Sequence, residues 1–504
     1  MSDINNTMPK PIKWILWVIG TLLFLVIVLI IIARVYVGAV NVALSGDFDP
    51  AAMEKRIKVP DGFSIGLYAK DIQNARVLRF TAKGDLLVAM PNRDKVELLE
   101  RDTDQDGKPD GRRTLIDGLN GPNGLDFFED WLYIAETDAI GRVGFDHQTG
   151  QLVGDYERLV TGLPAGGNHW KKTLRFGEDG LMYVAMGSSC NVCVEEDKRR
   201  AAMVRYTPDG KNETIFALGL RNSAGFDWSP RDGQIYATDN GRDMLGDDFP
   251  PCELNKVEEG GHYGWPYANG DRISDPDFGE GNESLVESSA APVFGFKAHN
   301  APLGIEFVRG DKFPKDYHGA AIVALHGSWN RSDKDGYKVV SLHWDEKGQI
   351  TERDFVSGFL VNDDVIGRPA EVAEGPDGAI YIADDFAGVV YRVAYGVEQT
   401  LEAIQAARKF NAGETLAFLS AEEKAQISAE GLALFNQSQC IGCHGEPGEA
   451  FKELVNLGEK YNIESLMAYL KKPNSPMPQF PFSDEQRRPL AVYLIETYPG
   501  GNTD

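Results

Sequence analysis

The sequence predicts an all-β six-bladed β-propeller, preceded by an N-terminal transmembrane helix and followed by a small all-α domain. Three observations lead to this prediction: a strand pattern that recurs six times between residues 60 and 395, an apolar segment at residues 14–33, and helical patterns around a Cys-x-x-Cys-His motif near the end. The predicted parts are a cytoplasmic tail (1–13), an anchor (14–35), a linker (36–54), the propeller (55–398), a second linker (399–424) and the all-α domain (425–500).

The composition narrows the class of partner. The chain has 504 residues and a net charge of −25, and this excess of acidic side chains disfavours nucleic acid as a partner. A solvated acidic surface accounts for the charge, and the charge is also compatible with a basic or neutral redox partner. The 54 glycines suit a protein with many tight turns between strands.

The first element is the predicted anchor. Residues 14–33 are uncharged and almost wholly apolar. At about 1.5 Å per residue, a helix of this length crosses a hydrocarbon layer of ~30 Å. A cleavable signal peptide has a shorter apolar region and a small-residue cleavage site, and no clear site follows this segment. The sequence therefore predicts an uncleaved anchor, and Lys10 and Lys13 favour a cytoplasmic N-terminus.

The next element is a repeated turn and strand. It occurs as "GDLLVAM", "DWLYIAE", "DGLMYVAM", "DGQIYATD", "GAAIVALHG" and "DGAIYIAD", with a central alanine at positions 89, 135, 185, 237, 324 and 383. A repeat of about 40 to 50 residues that contains several strands is typical of a propeller blade. Six copies predict six blades, with a long insertion between residues 237 and 324; an irregular β-sandwich is the alternative.

An acidic loop lies between two of the predicted strands. In "DTDQDGKPD" the carboxylates of Asp102, Asp104, Asp106 and Asp110 alternate around Gly107. Such spacing about a tight glycine turn can bring carboxylates to one calcium ion. A solvated acidic turn is the alternative.

A first Cys-x-x-Cys pair lies in the third repeat. Cys190 and Cys193 are followed by Val194, so this motif lacks the histidine that haem attachment needs. In an oxidising compartment the two thiols are expected to form a disulfide and to leave Cys252 free. A bond from one of them to Cys252, or a redox-active pair, remains open.

The second motif, Cys440, Cys443 and His444, is typical of covalent c-type haem. The two thiols bond the haem and the adjacent histidine ligates the iron. A zinc half-site or a disulfide is the alternative, but zinc needs a second ligand pair. Because c-type haem is attached outside the bacterial cytoplasmic membrane, the motif and the anchor together predict a single-pass inner-membrane protein whose propeller and haem domain are periplasmic.

No histidine follows His444, so the second iron ligand is Met467, Met477 or absent. Met467 has helical spacing from Leu466 and Leu470, which indicates a core position. Met477 lies between two prolines in "SPMPQF", where the backbone is held extended. The sequence therefore predicts Met477 as the axial ligand.

The loops between the predicted strands resemble a known family. The stretches "LRNSAGFDWSP", "IYATDNG" and "ELNKVEEGGHYGWP" are similar to those of the propeller dehydrogenases that use pyrroloquinoline quinone (PQQ), the soluble glucose, aldose and sorbosone dehydrogenase group. The resemblance covers about residues 55–396. The C-terminal part separately resembles bacterial cytochrome c.

The resemblance implies roles for loop residues. His169 matches the general base that takes a proton from the sugar hydroxyl. Arg221 and Asn222 match the pair over the quinone carbonyl, where a cation stabilises developing charge. Arg331 and Arg368 match cations that hold the quinone carboxylates. A structural histidine and surface arginines are the respective alternatives.

The resemblance also implies calcium. Glu253 and Tyr263 match one site of the family, and the carbonyls of Gly241 and Arg242 match a second calcium that contacts the quinone. The chain departs from the pattern in two places: Cys252 stands where many relatives have Asp, and Ser188 stands where the glucose enzyme has an Asp that supports the base. Two consequences are open: the rate differs from that of the relatives, or another carboxylate orients His169.

What the resemblance and the haem motif imply together is a membrane-anchored dehydrogenase of an aldose or related sugar. Hydride would pass to PQQ, and electrons would pass to the haem and on to a respiratory acceptor. Two alternatives are a calcium-dependent propeller lactonase and a non-catalytic binding propeller that carries a cytochrome c.

Overall fold

The computed structural model describes residues 48–399 without a gap. It also describes residues 412–417, 419–438, 456–471 and 480–499, and the positions 14, 17, 19–25, 46, 440, 444, 454, 473 and 477. The chain divides into two compact units between residues 403 and 404.

The first unit contains six four-stranded antiparallel sheets, which confirms the six-bladed propeller. The first three blades are built from consecutive strands: Val77–Phe80, Leu86–Met90, Lys95–Leu99 and Arg112–Ile116 (β2–β5); Gly124–Phe128, Trp131–Ala135, Ala139–Asp146 and Gln151–Thr161 (β6–β9); Lys172–Phe176, Met182–Met186, Ala202–Tyr206 and Thr214–Leu218 (β10–β13).

The last three blades contain the exceptions to consecutive order. Their strands are Gly225–Trp228, Ile235–Asp239, Cys252–Val257 and Phe294–Phe296 (β14, β15, β16, β19); Pro302–Phe307, Ala321–Leu325, Lys338–Trp344 and Ile350–Val356 (β20–β23); Pro369–Glu374, Ile380–Asp384, Val389–Tyr395 and Phe63–Ala69 (β26, β27, β28, β1). Phe63 pairs with Tyr395 and Ala69 with Val390, so the two ends of the propeller sequence together close the sixth blade.

The predicted repeat forms the second strand of each blade, and its turn explains its sequence. In three blades the aspartate of an Asp-Gly turn accepts a hydrogen bond from the hydroxyl of a tyrosine four residues later. The pairs are Asp179–Tyr183 at 2.8 Å, and Asp232–Tyr236 and Asp377–Tyr381 at 3.1 Å. The glycine has a positive φ, 75° at Gly180 for example, which a side chain would strain. The repeat thus fixes both the turn and the register.

The apolar cores lie between neighbouring blades. Six clusters of buried side chains each join strands of two adjacent blades. Five of the six second strands are buried along their whole length, as in Leu86–Met90 and Ala321–Leu325, and in Trp131–Ala135 only the first residue is partly exposed. Burial on both faces explains why these segments are almost wholly apolar rather than alternating.

The predicted insertion lies between the third and fourth strands of blade four. It contains the short hairpin Ala268–Asn269 and Ile273–Ser274 (β17, β18) and the helix Glu283–Ser288 (α2). A second short hairpin, Leu360–Val361 and Asp364–Val365 (β24, β25), precedes blade six.

The N-terminal anchor is not supported by the structure. A helix, Pro50–Arg56 (α1), precedes the propeller. Of the predicted anchor, residues 14, 17 and 19–25 are helical and exposed, and the rest lies outside the described residues. Within the described part of the chain, the structure contains no helix that is both long and apolar enough to span a membrane.

The second unit is all-α, as predicted. Its helices are Ala412–Thr415, Ala421–Gln437, Leu457–Lys460, Ile463–Lys471 and Asp484–Thr497 (α3–α7). Both long helices begin with a capping box, at Ser420 and at Ser483. α4 crosses α7 closely at Gly431, where a Cβ atom would lie 2.1 Å from the carbonyl oxygen of Pro489. The glycine is therefore required by the helix crossing.

Candidate functional site

A polar cavity lies at one mouth of the central channel. Its volume is about 220 Å³, and its wall is formed by the start of the innermost strands and the loops before them. The wall residues include Arg76, Asn123, Asn168, His169, Trp170, Lys171, Asn222 and Glu371. His169 and Asn222, which the sequence predicted as site residues, thus share one cavity.

His169 is held from behind by Ser188. Its Nδ1 lies 2.8 Å from the Ser188 hydroxyl oxygen, and that hydroxyl donates to the carbonyl of Cys190 at 2.7 Å. A Cβ atom on Gly187 would lie 2.4 Å from the Cβ of His169, so glycine permits this close approach. Burial, and next the charge of Arg221, lower the pKa of His169 to about 3. The ring is therefore neutral and able to accept a proton.

Arg221 lies behind the cavity wall rather than on its surface. Its side chain donates to the carbonyl of Asn191 at 2.9 Å and to the carbonyl of Asn240 at 3.0 Å. It also forms an ion pair with Asp243 at 3.0 Å. Its neighbour Asn222 lines the cavity. Arg221 therefore acts on His169 through its charge, whereas Asn222 lines the same cavity as His169.

A cluster of basic side chains lies beside the cavity, and two of its members, Arg76 and Lys171, line the wall. Arg76 forms an ion pair with Asp385 at 2.6 Å, and His326 Nε2 contacts the other oxygen of that carboxylate at 2.8 Å. Arg368 Nη2 contacts His326 Nδ1 at 2.9 Å. Burial, and next the charge of Arg76, lower the pKa of Lys171 to about 7. Arg76 and Lys171 line the cavity, so this side of it is suited to a ligand with negative charge.

The sequence predicted Arg368 as a site residue but predicted none of the other residues of this cluster. Arg76, Lys171, His326 and Asp385 come from four separate loops, and only the ring of blades brings them together. The signal for Lys171 in the sequence was its position two residues after His169 in "NHWKK".

Glu371 forms the floor of the cavity and was also missed. It lines both this cavity and a small space deeper in the channel. Burial raises its pKa to about 7. The deeper space is lined by Arg79, Arg175 and Glu306, and Arg175 pairs with Glu306 at 3.2 Å.

Arg331 is not brought to this cavity. Its guanidinium donates to the carbonyl of Asp247 and forms an ion pair with Asp248 at 3.1 Å. The structure thus gives Arg331 a role in holding the 242–252 loop.

Two buried carboxylates lie beside the site. Asp239 and Glu253 are cross-strand neighbours in blade four. Burial raises the pKa of Asp239 to about 8 and that of Glu253 to about 7. The buried amide oxygens of Asn240 and Asn255 have no hydrogen-bond partner among the described residues. Carboxylate and amide oxygens are the ligands of calcium, so this donor set fits the ion predicted at Glu253.

The other predicted calcium ligands have different places. The Tyr263 hydroxyl donates to the carbonyl of Lys256 at 2.7 Å and accepts from the amide of Glu258 at 2.8 Å. The Arg242 side chain pairs with Asp275 at 2.7 Å and clamps the insertion. Gly241 and Arg242 follow Asp239 and Asn240 in the loop after the second strand of blade four.

Three of the four acidic loop residues come together. Carboxylate oxygens of Asp102, Asp104 and Asp110 lie within 4.8 Å of one another. Asp106 instead accepts from the amide of Lys108 at 2.9 Å. Asp102 also accepts from the Gly107 amide at 2.8 Å, as a tight acidic turn requires.

The structure decides the pairing of the propeller cysteines. Cys190 and Cys193 form a disulfide, and Cys252 is a buried thiol. Burial raises the pKa of the Cys252 thiol to about 11, so it is unreactive.

The predicted haem ligands lie in the second unit. The amide of His444 donates to the carbonyl of Cys440 at 3.0 Å, which places the two residues on one helical turn. Cys440, Met467 and Met477 all pack against the core of this unit. Cys443 lies outside the described residues, so the complete motif stays a prediction.

One of the relatives in sequence is a sugar dehydrogenase. The aldose sugar dehydrogenase YliI of Escherichia coli is 28% identical over 317 residues, which are 57% of this chain and 80% of that protein. An uncharacterized protein of Borreliella burgdorferi is 31% identical over 357 residues, 67% of this chain and 91% of that protein.

Solved structures share the propeller. The PQQ domain of pyranose dehydrogenase from Coprinopsis cinerea has a TM-score of 0.59 and 19% identity, over 70% of this chain and 98% of that one. The soluble aldose sugar dehydrogenase of Escherichia coli in its apo form has a TM-score of 0.52 and 18% identity, over 66% and 99%. At such identities the likeness establishes the fold.

Family models match both units. A model described as "Cytochrome C oxidase, cbb3-type, subunit III" matches residues 426–494, so the second unit is a cytochrome c domain. With the dehydrogenase relatives, this match confirms the resemblance to PQQ-dependent sugar dehydrogenases joined to a cytochrome c. A second model covers residues 49–415, and by this match the chain belongs to the family described as "Domain of unknown function (DUF7133)".

Proposed function

We propose that this protein is a quinohaemoprotein dehydrogenase that oxidises an aldose or a related sugar and passes the electrons to its own haem c. One observation carries the proposal: a neutral, partly buried His169 shares a cavity with two basic side chains, Arg76 and Lys171. PQQ has three carboxylates, so the cluster supplies the opposite charge that this cofactor needs.

The chain's own residues divide the work of binding. Arg76 and Lys171 line the cavity and would hold carboxylates of PQQ, together with the predicted ligand Arg368. Asn222, which also lines the cavity, would contact the cofactor. Burial, and next the charge of Arg76, lower the pKa of Lys171, and anionic groups there would favour its charged form. Calcium would occupy the oxygen cluster around Asp239 and the predicted ligand Glu253.

The chemical step uses His169 as the base. When bound, PQQ supplies an electrophilic centre that accepts hydride from the sugar carbon. His169 takes the hydroxyl proton at its Nε2, because Nδ1 is engaged with Ser188 at 2.8 Å. The charge of Arg221, felt at His169, would stabilise negative charge that develops nearby. An aldose loses one hydride and one proton in this step and becomes a lactone.

The cytochrome domain is the proposed electron acceptor. Cys440 and Cys443 would bond the haem, and His444 and Met477 would ligate its iron. A His/Met pair raises the haem potential, which favours electron acceptance from an organic donor. Electrons would then leave for a respiratory acceptor.

We also propose a single-pass anchor in the bacterial inner membrane, with both domains periplasmic. The support is the apolar segment 14–33 together with Lys10 and Lys13. Removal of residues 1–35 behind a cleavable signal should release haem-loaded protein into the soluble periplasmic fraction. Recovery of the truncated protein with membranes would contradict the anchor.

Binding and turnover test the proposal together. Purified full chain should bind PQQ in the presence of calcium and, once loaded, should oxidise members of an aldose panel, with formation of the lactone. Removal of PQQ should abolish the oxidation. Absence of PQQ binding, or hydrolysis of lactones without any sugar oxidation, would overturn it.

A further inference from the structure

The loop between the second and third strands of blade three is closed by the Cys190–Cys193 disulfide. The sequence separation of the two cysteines is only three. The stabilisation gained by cross-linking an unfolded chain grows with the length of the closed loop. So short a ring is therefore poorly suited to stabilising the fold as a whole, and its effect is expected to be local.

One of the two residues inside the ring is Asn191, and it holds Arg221. Its carbonyl accepts from Arg221 Nε at 2.9 Å, and its Oδ1 accepts from Arg221 Nη2 at 2.9 Å. The same Oδ1 accepts from the Asp243 amide at 2.8 Å, and its Nδ2 donates to the Asp243 carbonyl at 2.9 Å. Both ends of the amide are thus engaged, so Asn191 has one preferred orientation.

The same loop also supports His169. Ser188 contacts His169 Nδ1 and donates to the Cys190 carbonyl within the ring. The Ser188 amide donates to the carbonyl of Arg221 at 2.8 Å. Arg200, at the far end of the loop, donates to the carbonyl of Gly166 at 2.8 Å and so holds the segment that carries His169. One loop therefore contacts both predicted catalytic groups.

We propose that Asn191, fixed by the Cys190–Cys193 disulfide, is a positioning residue that sets the place of Arg221 beside His169. The proposal rests on the proposed function only for its effect on PQQ. The geometric part, that the ring orders Arg221 and the cavity wall, concerns the chain alone.

Two variants and one control test it in the full chain. Asn191→Ala removes the side-chain hydrogen bonds, and the double substitution Cys190→Ser with Cys193→Ser opens the ring. Val194→Ala is the matched control, because Val194 is next to the ring and 60% exposed. The first readout is amide hydrogen exchange at Ser188 and Asn222 in protein without PQQ. The second is the dissociation constant of PQQ with calcium present.

Exchange at both amides should accelerate at least roughly tenfold in Asn191→Ala and in the ring-opened variant. PQQ affinity should fall about 10- to 100-fold, the usual result of losing hydrogen bonds to a charged group. Val194→Ala should match the parent in both readouts. Parental exchange rates in Asn191→Ala would overturn the proposal even if the double serine variant fails to fold.

A double-mutant cycle separates positioning from general weakening. If Asn191 acts through Arg221, Asn191→Ala should cause no further loss of PQQ affinity in an Arg221→Ala background. Additive losses, or unchanged affinity in the single variant, would refute the positioning role. If the parent itself binds no PQQ, the proposed function fails, and the exchange readout still decides whether Asn191 orders Arg221.

Discussion

The role of His169 as the base can be tested through the pH dependence of the rate and by substitution. Because burial and Arg221 lower its pKa to about 3 from an ordinary 6.5, the neutral base persists as pH falls through 6.5. The acid limb of kcat/KM should therefore lie well below pH 6.5. His169→Ala should lower the rate by roughly 10²- to 10⁴-fold, the worth of a general base.

The exposed His318 provides the matched control for this prediction. His318→Ala should keep the parental rate and the parental pH profile. A limb centred near pH 6.5, or parental turnover in His169→Ala, would show that another group takes the proton.

Lys171 should show opposite effects on stability and on binding. Its positive charge is disfavoured by burial and by Arg76, so Lys171→Met should leave the unfolding free energy of the PQQ-free protein unchanged or raise it. PQQ affinity should nevertheless fall about 10- to 100-fold, because a charged partner of the carboxylates is lost.

Lys171→Arg tests whether charge alone matters. It keeps the cation and should bind PQQ within a few-fold of the parent, measured by the same titration. Equal affinity for PQQ in Lys171→Met and in the parent would mean that the cation cluster does not face the quinone.

The sequence predicted His169 and Asn222 because loop motifs preserve local chemistry. It did not predict that Arg76 lies close to Arg368 and Asp385, because these residues meet only when the ring of blades closes. Arg331 was placed in the site by motif position, whereas the ion pair with Asp248 holds it to the 242–252 loop.

At the scale of elements, the insertion of blade four depends on one buried ion pair. Arg242 contacts both oxygens of Asp275 at 2.7 Å, and the two side chains are 6% and 1% exposed. Asp275→Asn should lower the unfolding free energy by about 3–5 kcal/mol, because it removes the buried charge partner of Arg242 and leaves only the exposed Asp277. Urea unfolding of the purified protein measures this change.

Asp277 is the control within the same clamp. It contacts the same guanidinium at 2.8 Å but is 59% exposed. Asp277→Asn should therefore cost no more than about 1 kcal/mol, as surface pairs do. Equal losses for the two substitutions would show that burial does not decide the strength of this clamp.

The blades could be predicted because each repeat carries its own turn and strand signals. The closing strand Phe63–Ala69 could not, because its partner Val389–Tyr395 lies more than 300 residues away and "FSIGLYA" follows a different turn, at Gly62. Local pattern identifies a strand, but the choice of partner in a closed ring is a long-range property.

At the scale of the whole molecule, the proposed function requires that the haem accept electrons from the propeller. Met477→Ala should keep haem covalently bound but lower its reduction potential, because the thioether ligand is lost. Redox titration of the haem absorbance measures the change. Met467→Ala, at another methionine that packs on the same core, should leave the potential close to the parental value. If the potential fell in Met467→Ala and not in Met477→Ala, Met467 would be the axial ligand and Met477 the core residue.

Electron transfer within one chain is what distinguishes a quinohaemoprotein from a propeller that merely carries a cytochrome. The most direct measurement is stopped-flow haem reduction after PQQ-loaded protein is mixed with a reactive aldose. The haem should be reduced with a first-order rate that does not change with protein concentration, and the signal should vanish when PQQ is omitted. A rate that rises in proportion to protein concentration, or an oxidised sugar beside a haem that stays oxidised, would contradict electron transfer from the propeller to its own cytochrome domain.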